Sequence, residues 1–141
     1  MHKDKIKNIV TEYLIEKPEI ILAYIFGSFF KKNIFHDLDI GIYLSEEFNK
    51  NDFNKYPYGY ESYLISELSL KVRMKVDVVI MNNSNLLLQQ RIINNGILLF
   101  SKNDNFRVFY ENTIRKNYID AEPLRKIKSY YLSRKIENAG Y

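Results

Sequence analysis

The chain has 141 residues, 46% apolar and 27% charged, a size and balance that suit one globular domain with a buried core. It has no cysteine, which excludes disulfides and thiolate metal sites, and no apolar run reaches the roughly 18–20 residues of a membrane span. The net charge is +4, of which residues 1–103 carry +1 and residues 104–141 carry +3, so the basic excess sits in the tail.

Ile6, Ile9, Val10, Tyr13 and Leu14 follow a 3.6-residue period, which predicts an amphipathic helix over residues 4–16. Pro18 disfavours helical geometry at Lys17 and stops it. The apolar run Ile20 to Phe26, ended by Gly27, reads as a buried strand. A basic stretch, Lys31-Lys32-Asn33, leads to a second strand from Asp37 to Leu44. Residues 45–59 are polar, carry Pro57 and Gly59, and read as a loop. A helix over about 60–74 should turn Tyr63, Leu64, Leu68 and Val72 inward. Lys75 to Met81 is a third strand. Ser84 is placed to cap a helix through about Asn94, and Gly96 stands where a helix C-terminus favours a left-handed residue. Ile97 to Phe100 forms a fourth short strand, and residues 104–137 are helical in pattern, broken near Ile119–Pro123. There is no internal repeat or linker. The expected fold is therefore a single α/β or α+β domain, with a core over residues 1–103 and a helical segment over 104–141.

Three features carry chemistry. Phe26-Gly27-Ser28 falls at a strand-to-helix turn, where glycine lets backbone approach a ligand and a helix N-terminus offers N–H groups to an anion. A Gly-Ser pair at a turn is also ordinary punctuation. Asp37-Leu38-Asp39-Ile40 opens a strand, so the two carboxylates project from one face while Leu38 and Ile40 enter the other. Paired carboxylates repel and raise at least one pKa unless a cation lies between them, and Mg²⁺ takes such hard oxygen ligands. The same pair on a solvated strand needs no metal. Asp77, inside Lys75-Val76-Asp77-Val78-Val79-Ile80, is costly to bury unless paired or metal-bound, unless it faces water at an edge. Should its strand neighbour the second, the three carboxylates could hold two Mg²⁺ ions for in-line displacement at phosphorus.

Gly27-Ser28, then Asp37-x-Asp39 after a gap of eight residues, then Asp77 in an apolar strand, together resemble the DNA polymerase β-type nucleotidyltransferase superfamily. The small size resembles its minimal (MNT) members, in particular the adenylyltransferase antitoxins paired with HEPN-domain RNase toxins. Leu86 to Phe100 and Pro123-Leu124 in a tyrosine-containing last helix resemble the same group. The resemblance implies the minimal nucleotidyltransferase fold, a small mixed sheet flanked by helices. It implies a Mg²⁺-dependent enzyme with two metal ions and ATP as substrate. Gly27 and Ser28 would hold the triphosphate, Asp37 and Asp39 both metals, and Asp77 the catalytic metal beside the acceptor hydroxyl. The implied acceptor is a tyrosine of a HEPN-type RNase toxin, silenced by AMP transfer. A small-molecule acceptor such as an aminoglycoside, or an idle antitoxin acting by binding alone, are the rival readings.

The chain departs from that pattern in Phe30-Lys31-Lys32 after the Gly-Ser-Phe, in a shorter loop, and in His36 where a serine often precedes the first aspartate. The cluster from Tyr56 to Tyr63 reads as packing, or as a surface for a base or a partner. Arg107, Arg115, Lys116, Arg125, Lys126 and Lys128, with Tyr130-Tyr131, read as a solvated face or a docking surface for the toxin. The 12 tyrosines and many lysines also match A/T-rich codon usage, so direct nucleic-acid binding is not expected. The N-terminal residues show no signal-peptide pattern, which predicts a cytoplasmic protein.

Overall fold

The structure, a computed structural model, describes residues 2–27 and 37–138, with side chains as far as Arg134. Chain order is α1 (Lys3–Ile15), β1 (Ile20–Phe26), β2 (Asp37–Leu44), α2 (Tyr60–Val72), β3 (Lys75–Ile80), a 3₁₀ turn (Met81–Asn83), α3 (Leu86–Asn95), β4 (Ile97–Ser101), α4 (Asp104–Asp120) and α5 (Glu122–Asn138). The strands form one mixed sheet in the order β3-β2-β1-β4. The β2–β3 pair is parallel, and the pairings of β1 with β2 and with β4 are antiparallel. A parallel pair needs a crossover, which the 45–59 loop and α2 supply. This is the expected mixed sheet flanked by helices.

Helices cover both faces. Against one face, Ile6, Val10 and Leu14 of α1 and Leu64 and Leu68 of α2 pack on Leu38, Ile40, Val76 and Val78. Against the other, Ile92 and Ile93 of α3 and Tyr110 and Ile114 of α4 pack on Leu22 and Tyr24. Alternation along β1 feeds both cores, Ala23 and Ile25 the first and Leu22 and Tyr24 the second, and a register shift between Ile20 and Leu22 interrupts its pairing with β2. Glu111 of α4 ties this second layer to the sheet. It accepts a 2.7 Å hydrogen bond from the Tyr24 phenol and sits 3.4 and 3.6 Å from Arg107 and Arg115. Burial, with the hydrogen bond to Glu111 added, pushes that phenol far above its ordinary pKa.

Three expectations need correction. Asn85, not Ser84, caps α3, accepting from the Leu88 N–H at 2.8 Å. The Ser84 hydroxyl instead donates to the Ile80 carbonyl at 2.9 Å and closes the 3₁₀ turn. Gly96 is not left-handed, with φ −86° and ψ 173°. It is needed for space, because a Cβ there would meet the Ile92 and Ile25 carbonyl oxygens at 2.5 and 2.9 Å. Tyr60 rather than Tyr63 fills the core position at the start of α2, leaving Tyr63 half-buried beside it. The break in the C-terminal helices falls at Ala121, within the expected interval, and Pro123 sits in the first turn of α5, where no N–H is missed.

Candidate active site

Register decides what the three aspartates can do together. The parallel pairing sets Asp39 opposite Asp77 and Asp37 opposite Lys75. Side chains alternate along each strand, so all four project from one face, while Leu38, Ile40, Val76 and Val78 enter the core behind. Further along that face lie Gly41, Tyr43 and Val79, roofed by α3. A Cβ on Gly41 would come 3.1 Å from Ile92 and 3.2 Å from the Met81 sulfur. The roof ends there. Beyond it Asp37 and Asp77 are exposed and Asp39 is half-buried.

β1 brings Gly27 to the same place. Its antiparallel pairing sets Phe26 opposite Asp39, and the next residue, Gly27, turns with φ +82°. A Cβ on Gly27 would stand 2.4 Å from the Asp39 Oδ2. The backbone conformation favours glycine, and any Cβ there would have to push the Asp39 carboxylate aside.

Burial raises the Asp39 pKa first, and the negative charges of Asp77 and then Asp37 raise it further; Lys75 pulls it back. A divalent cation among these groups would reverse that balance. Three carboxylates on one exposed sheet end are the hard-oxygen donor set that Mg²⁺ takes. Their oxygens do not, however, converge on one point. Among the described residues no three acidic or histidine side chains stand close enough to hold an ion. Asp37 and Asp39 share a face as their spacing implied, and β3 does neighbour β2. Closure depends on side-chain rotation, because adjacent strands lie only about 4.8 Å apart.

Ser28, Lys31, Lys32 and His36 lie outside the described residues. Lys75 is the member of this face that the sequence reading passed over, although its i, i+2 spacing from Asp77 was the available signal. Of the aromatic cluster, Tyr56 and Tyr60 are buried with ring centroids 5.0 Å apart, which is packing, while Tyr58 is 89% exposed. In the basic tail, Arg107 and Arg115 serve Glu111, and Arg125 stacks 3.7 Å over the Tyr118 ring. A cavity of about 370 Å³ opens at the far end of β2 and β3, lined by Tyr43, Ser45, Glu46, Phe48 and Asn82. It holds no grouping of carboxylates like that at the other end of the sheet.

The family profile described as Polymerase beta, Nucleotidyltransferase matches residues 6–105, over two thirds of the chain. The chain belongs to the polymerase β nucleotidyltransferase family. This nucleotidyltransferase is similar to a chain in the complex of tri-AMPylated Shewanella oneidensis HEPN toxin with MNT antitoxin. The TM-score is 0.73 at 16% identity, covering 94% of this chain and 99% of that one. It is similar also to a chain of the MntA–HepT toxin–antitoxin complex, with TM-score 0.71, 16% identity, and 92% and 98% coverage. A toxin–antitoxin structure with AMP-PNP gives TM-score 0.69, 17% identity, and 94% and 99% coverage. At such identities these likenesses speak to the fold. No curated protein matches the chain by sequence.

Proposed function

We propose that this nucleotidyltransferase transfers AMP from ATP to a tyrosine hydroxyl of a HEPN-type RNase toxin and so acts as its antitoxin in the cytoplasm. The observation that carries the reading is the in-register pair Asp39–Asp77, with Asp37 on the same exposed face and Gly27 against Asp39. Family membership supports the reaction class. The fold shared with MNT antitoxin complexes, one with a tri-AMPylated toxin and one with AMP-PNP, supports the donor and the partner.

In this reading residues 1–103 form the catalytic core and residues 104–141 a helical segment of the same domain. Gly27 and Ser28 hold the triphosphate, and Asp37 and Asp39 would hold two Mg²⁺ ions, with Asp77 sharing one. Bound there, the metal supplies positive charge for the attacking and leaving oxygens of an in-line displacement. Asp77, exposed at the sheet end, orients the acceptor tyrosine and takes its proton. The phenolic oxygen bonds to the α-phosphorus, the bond to the bridging oxygen breaks, and pyrophosphate leaves. An open carboxylate face suits the side chain of a protein acceptor.

The test is incubation with labelled ATP, Mg²⁺ and the product of the adjacent gene, followed by intact-mass analysis. One or more AMP units on a tyrosine of the partner is the expected result. Modification of an aminoglycoside instead, or toxin neutralisation undiminished in Asp37→Asn, would overturn it.

A further inference from the structure

α5 carries apolar residues that no other described residue covers. Leu124, Ile127, Tyr131 and Leu132 are 70, 52, 66 and 57% exposed. Leu124, Ile127 and Tyr131 recur at i, i+3 and i+7, so they line one side of the helix. Scattered apolar side chains on a surface need no explanation, but an apolar stripe over two consecutive helical turns does. α5 packs chiefly on α4, its neighbour in sequence.

Charge narrows the occupant. Residues 122–138 carry five basic and two acidic side chains, a net +3 that holds most of the chain's excess. A second copy laid along α5 would set +3 against +3, which opposes self-pairing. A nucleic acid would meet the charge and could stack on Tyr131, but it would leave Leu124, Ile127 and Leu132 uncovered. An apolar helix stripe with a basic rim is met by an apolar groove with an acidic rim, the helix-in-groove arrangement.

We propose that α5 is the docking helix for a protein partner with an acidic, apolar groove, and, resting on the function proposed above, that this partner is the HEPN-type protein that receives AMP. Leu124, Ile127 and Tyr131 are the anchors that enter the groove, and Lys128 is part of the basic rim that steers the approach.

The experiment measures binding of the full chain to the product of the adjacent gene by calorimetry, for wild type, Ile127→Asp/Tyr131→Asp and Lys128→Glu. The double variant should bind roughly 30-fold or more weakly. Lys128→Glu should bind more weakly at low salt and lose part of the salt dependence. Stabilisation by Mg²⁺ and AMP-PNP in a thermal melt should match wild type in both, since α5 is remote in sequence from the carboxylate face. Wild-type affinity in both variants would overturn the docking role while leaving the proposed reaction standing. No binding by wild type would overturn the partner itself, here and in the proposed function. Binding to phosphatidylglycerol vesicles that the double variant loses, with partner binding intact, would make α5 a membrane helix and overturn the proposal.

Discussion

Gly27 presses its bare Cα against the Asp39 carboxylate, so closely that a methyl group there would lie 2.4 Å from Oδ2. Gly27→Ala must therefore displace Asp39 or the end of β1, and it also strains a backbone at φ +82°. Left-handed strain costs on the order of 1 kcal/mol, which the fold can tolerate. A misplaced metal ligand costs far more in rate. We expect AMP transfer to fall at least roughly 100-fold with a thermal midpoint only a few degrees lower. Near-wild-type transfer would show that the contact between these residues has no catalytic consequence.

Asp39→Asn removes the one carboxylate of the three that is half-buried. Because burial and two like charges already disfavour its ionised form, the neutral amide should fold as stably as wild type or more so without Mg²⁺. Transfer should be lost. Mg²⁺ should raise the wild-type midpoint and leave that of the variant nearly unmoved. A collapsed midpoint in Asp39→Asn would make this residue structural instead.

The same shift fixes a pH dependence. The folded-state pKa of Asp39 lies above its unfolded value, so folding is opposed where the group must ionise. That penalty is fully present above the folded pKa and disappears as pH falls through it toward the unfolded value of about 3.9. Without metal, the stability advantage of Asp39→Asn should be greatest near neutral pH and shrink on acidification toward pH 4. A gap that widens on acidification would mean the shift has the opposite sign.

How far the sequence could be read depended on whether a feature is local. Asp37-Leu38-Asp39-Ile40 announces its strand and both its faces, because alternation is a property of consecutive residues. Asp77 stands out as the lone carboxylate among valines. What Gly27 touches was not legible, since its contact with Asp39 comes from the register between two strands. Lys75 could have been found from its i, i+2 relation to Asp77. The cap of α3 was ambiguous because Ser84 and Asn85 can both cap, and only the 3₁₀ turn, which occupies the Ser84 hydroxyl, separates them. Gly96 suggested a left-handed cap by its place after a helix, yet the Ile92 carbonyl of α3 and the Ile25 carbonyl of β1 are what exclude a side chain there.

That difference at Gly96 can be measured. In its extended conformation, any Cβ meets two carbonyl oxygens of the backbone, which cannot rotate away as a side chain could. Gly96→Ala should cost about 2–4 kcal/mol. Asparagine tolerates left-handed geometry, so Gly96→Asn would rescue a residue needed for its backbone angles. Here Gly96→Asn should be at least as damaging as alanine in a denaturant titration. A stable asparagine variant would restore the left-handed reading.

Lys75 offers the most direct test of whether the sheet end behaves as one electrostatic unit. It faces the same way as Asp37, Asp39 and Asp77, is exposed, and acts against the carboxylates on the Asp39 proton equilibrium. Lys75→Met keeps most of the stem and removes only the charge, so packing is little changed. Without Mg²⁺ and at low salt, three carboxylates then lack their cationic neighbour, and the midpoint should drop by roughly 2 °C. The groups are mostly exposed, so added salt screens their repulsion, and at about 0.5 M NaCl the difference should largely vanish. Saturating Mg²⁺ should erase it as well, because a divalent cation outweighs one ammonium at the same face. A deficit equal at low and high salt would assign Lys75 a packing role, and would leave Asp39 without the electrostatic neighbour that the register gives it.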